Sequence, residues 1–195
     1  MNIKPGSLPG DPYEVTAETR AVGTLYINRY LNLRNNLDDL LPLLTDVSVF
    51  EDHTAALGAQ YIPSYAEAAY IKGGKKIVAF FKKVTATAED YNYAITEQFF
   101  SSNYAFYYGT MSFRMQPSLF GIDLTEPFIF EFPRTTILQV VDGKVMHHWD
   151  FVNFFLLLQQ LIAQCPEAVT IFGGIEEAKK VIGKFFGSGD DDTKA

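Results

Sequence analysis

The chain has one cysteine, Cys165, one tryptophan and three histidines in 195 residues, and each scarcity closes a class of function. A lone thiol cannot form an intrachain disulfide, and with no activating partner visible in the sequence it reads as a buried, inert side chain. His147 and His148 are adjacent, so on a strand they face opposite ways. Together with His53 they do not supply a convergent ligand set, and neither a metal nor a cofactor is expected. Basic residues are also few: 16 Lys and Arg against 23 Asp and Glu give a net charge of −7, the wrong sign for a nucleic-acid partner. Long apolar runs are missing. The longest, 154–163, is interrupted by Gln159 and Gln160 and is too short to span a bilayer, so no membrane insertion is expected. The opening MNIKPGSLPGDPYE carries no apolar core of a secretion signal, and a cytoplasmic location is the expectation.

Aromatic residues are abundant, with 17 Phe and 11 Tyr, enough to line a large core or an apolar hollow. Residues 1–14, rich in Pro and Gly, read as a flexible arm. Thr16 is placed to cap a helix over 16–35, in which Val22, Tyr26, Tyr30 and Leu33 recur at steps of three or four, a spacing that Leu37 continues. A short apolar helix over 37–44 has Asp38 and Asp39 in its first turn. A strand over 47–52 and a long connection to Tyr70 follow, then a helix from Gly73-Gly74 with the stripe Ile77, Phe80, Phe81, Val84. The GGKK of that start lacks the earlier glycine and the following Ser or Thr of a phosphate loop.

From Tyr91 the period changes to two, predicting strands over 91–100, 104–116, 127–141 and 144–152. Asp142-Gly143 is a strong hairpin signal. Helices are predicted over 154–163 and 175–186, before an acidic tail at 188–195. Helices first and a meander of strands after them define an α+β domain over 15–163, with a helical extension at 164–187. Its curved antiparallel sheet is covered by helices that enclose an apolar pocket.

Within VMHHWDFV the alternation puts His148 and Asp150 on one face and His147 and Trp149 on the other. An acid on a buried face is costly unless it is paired or functional, and either outcome shifts its pKa. Asp52, at the end of VSVFED, raises the same question. Tyr26 and Tyr30, one turn apart on the first helix, would each need a partner for a buried hydroxyl.

Two stretches carry a family resemblance. NRYLNLRN followed by LLPLLTDVSVFED resembles the opening of ketosteroid isomerases. VVDGKVMHHWDFVNFF is similar to the last hairpin of limonene epoxide hydrolase and SnoaL-like polyketide cyclases. All belong to the nuclear transport factor 2-like superfamily, whose fold is a cone of curved sheet around a deep apolar cavity. The resemblance implies that Tyr30 donates a hydrogen bond to an oxyanion and that Asp52 is a general base. It also implies that Asp150 is the acid of the W-x-D pattern, with His148 in place of its tryptophan, and that Arg114 is the arginine of an R-x-D motif whose acid is here Gln116. The second oxyanion acid of the isomerases has no counterpart near Thr136 and Ile137, and the last acid of the cyclase pattern is Asn153.

The implied activity is cofactor-independent proton transfer, by an isomerase, cyclase or dehydratase, on a small apolar carbonyl, polyketide-like or terpenoid-like compound. Asp150, His148, Asp52, Tyr30 and Arg114 are its candidate catalytic residues, and Tyr26, Phe50, Phe113 and Gln116 its candidate substrate contacts. The alternatives are an epoxide hydrolase with an altered triad and a non-catalytic cone binding an apolar ligand or a protein. An acid within reach of His148 favours catalysis, whereas an acid locked to Arg114 or Arg134 favours a structural role. The resemblance further implies a homodimer through the outer sheet face, where His147 and Trp149 fall.

Overall fold

The structure, a computed structural model, describes residues 15–32, 36–58, 66–115 and 127–164. The expected arm, the helix over 175–186, the acidic tail, Cys165 and Gln116 lie outside the described residues.

Helix α1 spans Ala17–Leu31 and begins as expected, with the Thr16 hydroxyl accepting the backbone N–H of Thr19 at 3.0 Å, which satisfies one of the first-turn donors. It ends earlier than predicted, the N–H of Asn32 returning to the Arg29 carbonyl. Gly23 lets α1 approach the sheet, since a Cβ there would lie 2.9 Å from that of Ala105. The second helix is a 3-10 turn over Leu37–Leu43 that buries Leu37, Leu40 and Leu43. Strand β1, Val49–Asp52, is followed by the short helices α2, His53–Gly58, and α3, Ala66–Ala69. The connection thus holds more order than its small residues suggest, including a further strand β2 at Tyr70–Lys72. Helix α4, Gly74–Thr87, starts after Gly73, whose φ of 102° favours glycine, and buries Ile77, Val78 and Phe81.

Four long strands follow: β3, Ala88–Ser101; β4, Tyr104–Met115; β5, Phe128–Val141; and β6, Lys144–Val152. The β5–β6 hairpin turns on Asp142 and Gly143, both at positive φ (50° and 71°), the conformation that two-residue turn requires. The six strands form one sheet in the order β2-β1-β6-β5-β4-β3. It is curved and unclosed, with helices over its concave face. All neighbours are antiparallel except β1 and β6, which run parallel and set Phe50 beside His148 and Asp52 beside Asp150. Alternation along β5 is strict, Phe128, Phe130, Phe132, Arg134, Thr136, Leu138 and Val140 all turning inward.

Among the described strands, β6 reaches only as far as Arg134 of β5, which leaves the edge of β5 beyond it, at Glu131 and Ile129, to another partner. Helix α5, Phe154–Gln164, covers it. The Gln160 amide accepts the N–H of Glu131 at 2.9 Å and donates to its carbonyl, and Gln164 does the same at Ile129, at 2.7 and 2.6 Å. Two side-chain amides one helical turn apart replace the missing strand as hydrogen-bond partners.

Candidate active site

Asp150 and His148 are inward and inaccessible, 1% and 0% exposed. The hydroxyl of Tyr30 donates to Asp150 Oδ2 at 3.0 Å and that of Thr136 to Oδ1 at 2.6 Å. The charge beside the carboxylate is Arg134, 6% exposed, whose Nε donates to Oδ1 at 3.1 Å and whose Nη2 donates to Oδ2 and to the Tyr30 hydroxyl. Its Nη1 donates to the hydroxyl of Tyr91 at 3.1 Å. His148 Nε2 stands 3.1 Å from Asp150 Oδ1, off the direction of a formed hydrogen bond, and Nδ1 is 3.0 Å from the Tyr26 hydroxyl. A carboxylate facing Nε2 favours the ring hydrogen there, so that Nδ1 accepts from Tyr26. The rings of Phe50, Phe81, Tyr26 and Tyr30 surround the imidazole, with centroids 4.9 to 5.9 Å away.

These contacts decide the charge states. Burial alone pushes the Asp150 carboxyl up, but Arg134 and His148 together outweigh it and hold Asp150 well below the usual carboxylate range. Burial works against charge on Arg134, and Asp150 more than restores it. The phenols of Tyr26 and Tyr30 are pushed up, chiefly by burial. Asp150 is therefore an ionised group with both oxygens committed to protein donors.

Asp52 differs in every respect. It is half-buried, and its Oδ1 accepts the N–H groups of Thr54 and Ala55 at 2.8 and 2.9 Å, at the start of α2. Among the described residues nothing donates to Oδ2. Burial first, and the charge of Asp150 second, push its carboxyl up to about 6.

Of the residues expected from the sequence, Asp150, His148, Tyr30, Tyr26 and Phe50 meet in one cluster with Asp52 at its margin. Phe113 stands farther along the concave face, against Phe130 and Phe132. Arg114 does not join them. Its side chain is 44% exposed and pairs with Asp90 at 3.5 Å, because its position in β4 alternates outward. The cation beside Asp150 is Arg134, named in the sequence only as a possible lock, while Thr136 and Tyr91 went unnoticed as polar partners. On the outer face His147 stacks on Trp149 at 3.8 Å. Glu51 lies 3.4 Å from His147 and 3.6 Å from His53; burial lowers the pKa of His147 despite that acid. Among the described residues no group of His, Cys, Asp and Glu could hold a metal ion, and no helix is long and apolar enough to cross a membrane.

A curved open sheet with helices over its hollow side, and a buried acid on its central strands, defines a cone-shaped α+β protein of the nuclear transport factor 2-like class. The family model for SnoaL-like polyketide cyclase matches residues 45–161, more than half of the chain, and the chain belongs to that family. Among solved structures, a SnoaL-like protein from Shewanella putrefaciens CN-32 is similar over 76% of this chain and 98% of its own, with a TM-score of 0.62 and 17% identity. An LEH-like epoxide hydrolase from M. tuberculosis matches 76% of this chain and 92% of its own, at a TM-score of 0.55 and 14% identity. A protein with a ketosteroid isomerase-like fold from Catenulispora acidiphila DSM 44928 matches 71% and 90%, at 0.53 and 15%. At these identities the likeness is one of fold. No curated protein matches the chain.

Proposed function

We propose that the chain catalyses cofactor-independent proton transfer on a small, apolar carbonyl compound, as an isomerase, cyclase or dehydratase, with Asp52 as the general base. The observation that carries this reading is the contrast between the two acids. Asp150 has no oxygen free to take a proton, whereas Asp52 Oδ2 has no donor among the described residues and its carboxyl is raised to about 6, near the pH at which a base works best. In the step, a C–H bond next to a carbonyl breaks as its proton goes to Oδ2. The electron pair moves onto the carbonyl oxygen, and the protonated Asp52 returns the proton at another carbon. Asp150 and His148 then serve as the fixed polar floor, with Tyr26 and Phe50 in the wall beside them.

The test is hydrogen–deuterium exchange, followed by NMR, at the carbons next to the carbonyl in a panel of cyclic enones and β-dicarbonyl compounds in D2O. Exchange that the protein accelerates and Asp52→Asn abolishes is the expected result. If no compound in the panel exchanges faster with the protein present, the reading fails.

The closed Asp150–Arg134 pair favours a second reading, a non-catalytic cone that binds an apolar ligand, in which the pair is structural. An epoxide hydrolase gains less support, since Arg114 faces away from Asp150. A homodimer through the outer sheet face accords with the exposed Phe99, Tyr108, Ile129, Val141 and Phe151; light scattering on the purified chain tests it.

A further inference from the structure

Strand β3 carries a bulge where it passes the site. Glu89 pairs with Arg114 and Asn92 with Ser112, so Asp90 and Tyr91 together oppose the single residue Phe113. Asp90 sits at φ 51°, a left-handed conformation that a non-glycine side chain adopts at a cost. Its carboxylate is held by Arg114 at 3.5 Å. The result is local: the Tyr91 ring stacks on Phe113, with centroids 6.4 Å apart, and its hydroxyl accepts the Nη1–H of Arg134. Of the polar residues linked through Asp150 and Arg134, namely Tyr26, Tyr30, Thr136, His148 and Tyr91, all but Tyr91 are buried; Tyr91 is half-buried.

We infer that Tyr91 is the substrate-facing hydrogen-bond donor of the site, placed by the bulge to bind the oxygen of an enolate, phenolate or similar planar oxyanion. The phenol accepts a bond from the guanidinium, and its own O–H, which has the Tyr30 hydroxyl as a neighbour, can turn to a ligand; the cation behind it polarises that O–H toward a negative oxygen. Tyr30, whose hydroxyl is spent on Asp150, is not placed to do this. The apolar wall of Phe113, Phe130 and Phe132 beside Tyr91 suits a flat aromatic or conjugated ligand. The inference rests on the proton-transfer reading for the source of the oxyanion, yet it fails separately from it.

The experiment compares binding of 2-naphthol and naphthalene, which share a ring system and differ by one hydroxyl, to wild type, Tyr91→Phe and Tyr93→Phe. Tyr93 is the control because its hydroxyl bonds the carbonyls of Tyr107 and Arg134. Wild type is expected to prefer 2-naphthol, and Tyr91→Phe to cut that preference roughly tenfold or more while keeping naphthalene affinity, which also reports that the variant is folded. Tyr93→Phe keeps the preference. A preference unchanged in Tyr91→Phe, or absent from wild type, overturns the inference. Loss of preference in Tyr91→Phe without any Asp52-dependent exchange leaves Tyr91 as a ligand donor and removes the general base. Asp52-dependent exchange with a preference indifferent to Tyr91 does the reverse.

Discussion

Asp52 and Asp150 stand side by side on adjacent parallel strands, on the same face of the sheet, and are driven to opposite protonation behaviour. Arg134 holds Asp150 ionised, and the resulting charge helps push the Asp52 carboxyl up. Two acids of identical chemistry are thereby separated into a fixed anion and a titrating group.

That separation fixes a pH dependence. The folded Asp52 carboxyl titrates at about 6 against an ordinary 3.8, so protonation favours the folded chain. Its contribution is complete below 3.8 and is lost as the pH rises through about 6. Asp52→Asn removes the loss: its melting temperature should exceed that of wild type at pH 8, with the gap closing toward pH 4. In wild type, activity that depends on the ionised carboxylate should rise with an acid limb near pH 6.

Asp150→Asn is expected to be inactive and also badly destabilised. The acid is the counter-ion of a buried guanidinium. Removing one partner of such a pair costs about 3–5 kcal/mol. Arg134→Met should cost a similar amount, and the double variant less than the sum of the two, by about 2 kcal/mol or more. Urea unfolding of the four proteins closes the cycle. Because the Asp150 carboxyl is depressed, its stabilisation is present above the ordinary 3.8 and is lost as the pH falls below it.

Gly109 marks a second irregularity, between Ile95 and Glu97 of β3. A Cβ at position 109 would collide with the carbonyl oxygen of Ala94 and lie 2.7 Å from Ile95 Cα. These are backbone atoms that cannot swing aside. Gly109→Ala should cost about 2–3 kcal/mol, read as a lower melting temperature with the two hairpin strands shifted in NMR.

The fold was readable because its signals are local: Thr16 as a cap, the stripe on α4, Asp142-Gly143 as a turn and alternation along β5 and β6. The inward placement of His148 and Asp150 followed from the same alternation. Their partners did not follow. Counting straight back from the turn sets Asp150 against Thr135, but Met146 is an extra residue in β6, where Gln139 pairs with His147 and Val140 with Val145. That one-residue shift puts Thr136 opposite Asp150 and brings Arg134 within its reach. Tyr91 was hidden by the same kind of event, a bulge at Asp90 that no local motif announces. Register defects specify the site, and they depend on cross-strand packing that periodicity alone does not carry.

Gln160, which in the sequence only interrupts an apolar run, and Gln164, just beyond that run, give the last prediction. Each satisfies one N–H and one carbonyl of β5 beyond the end of β6. Leucine keeps the helix propensity and apolar bulk but offers no hydrogen bond. Gln160→Leu should therefore expose the amide of Glu131, and Gln164→Leu that of Ile129, to faster hydrogen exchange, each at a stability cost of about 1 kcal/mol. The edge is solvent-accessible, so water takes over part of the bonding and the cost stays small. Exchange accelerated at both amides by either single variant would mean that α5 has detached as a unit, and exchange unchanged at both would mean that the glutamines are not the partners of β5.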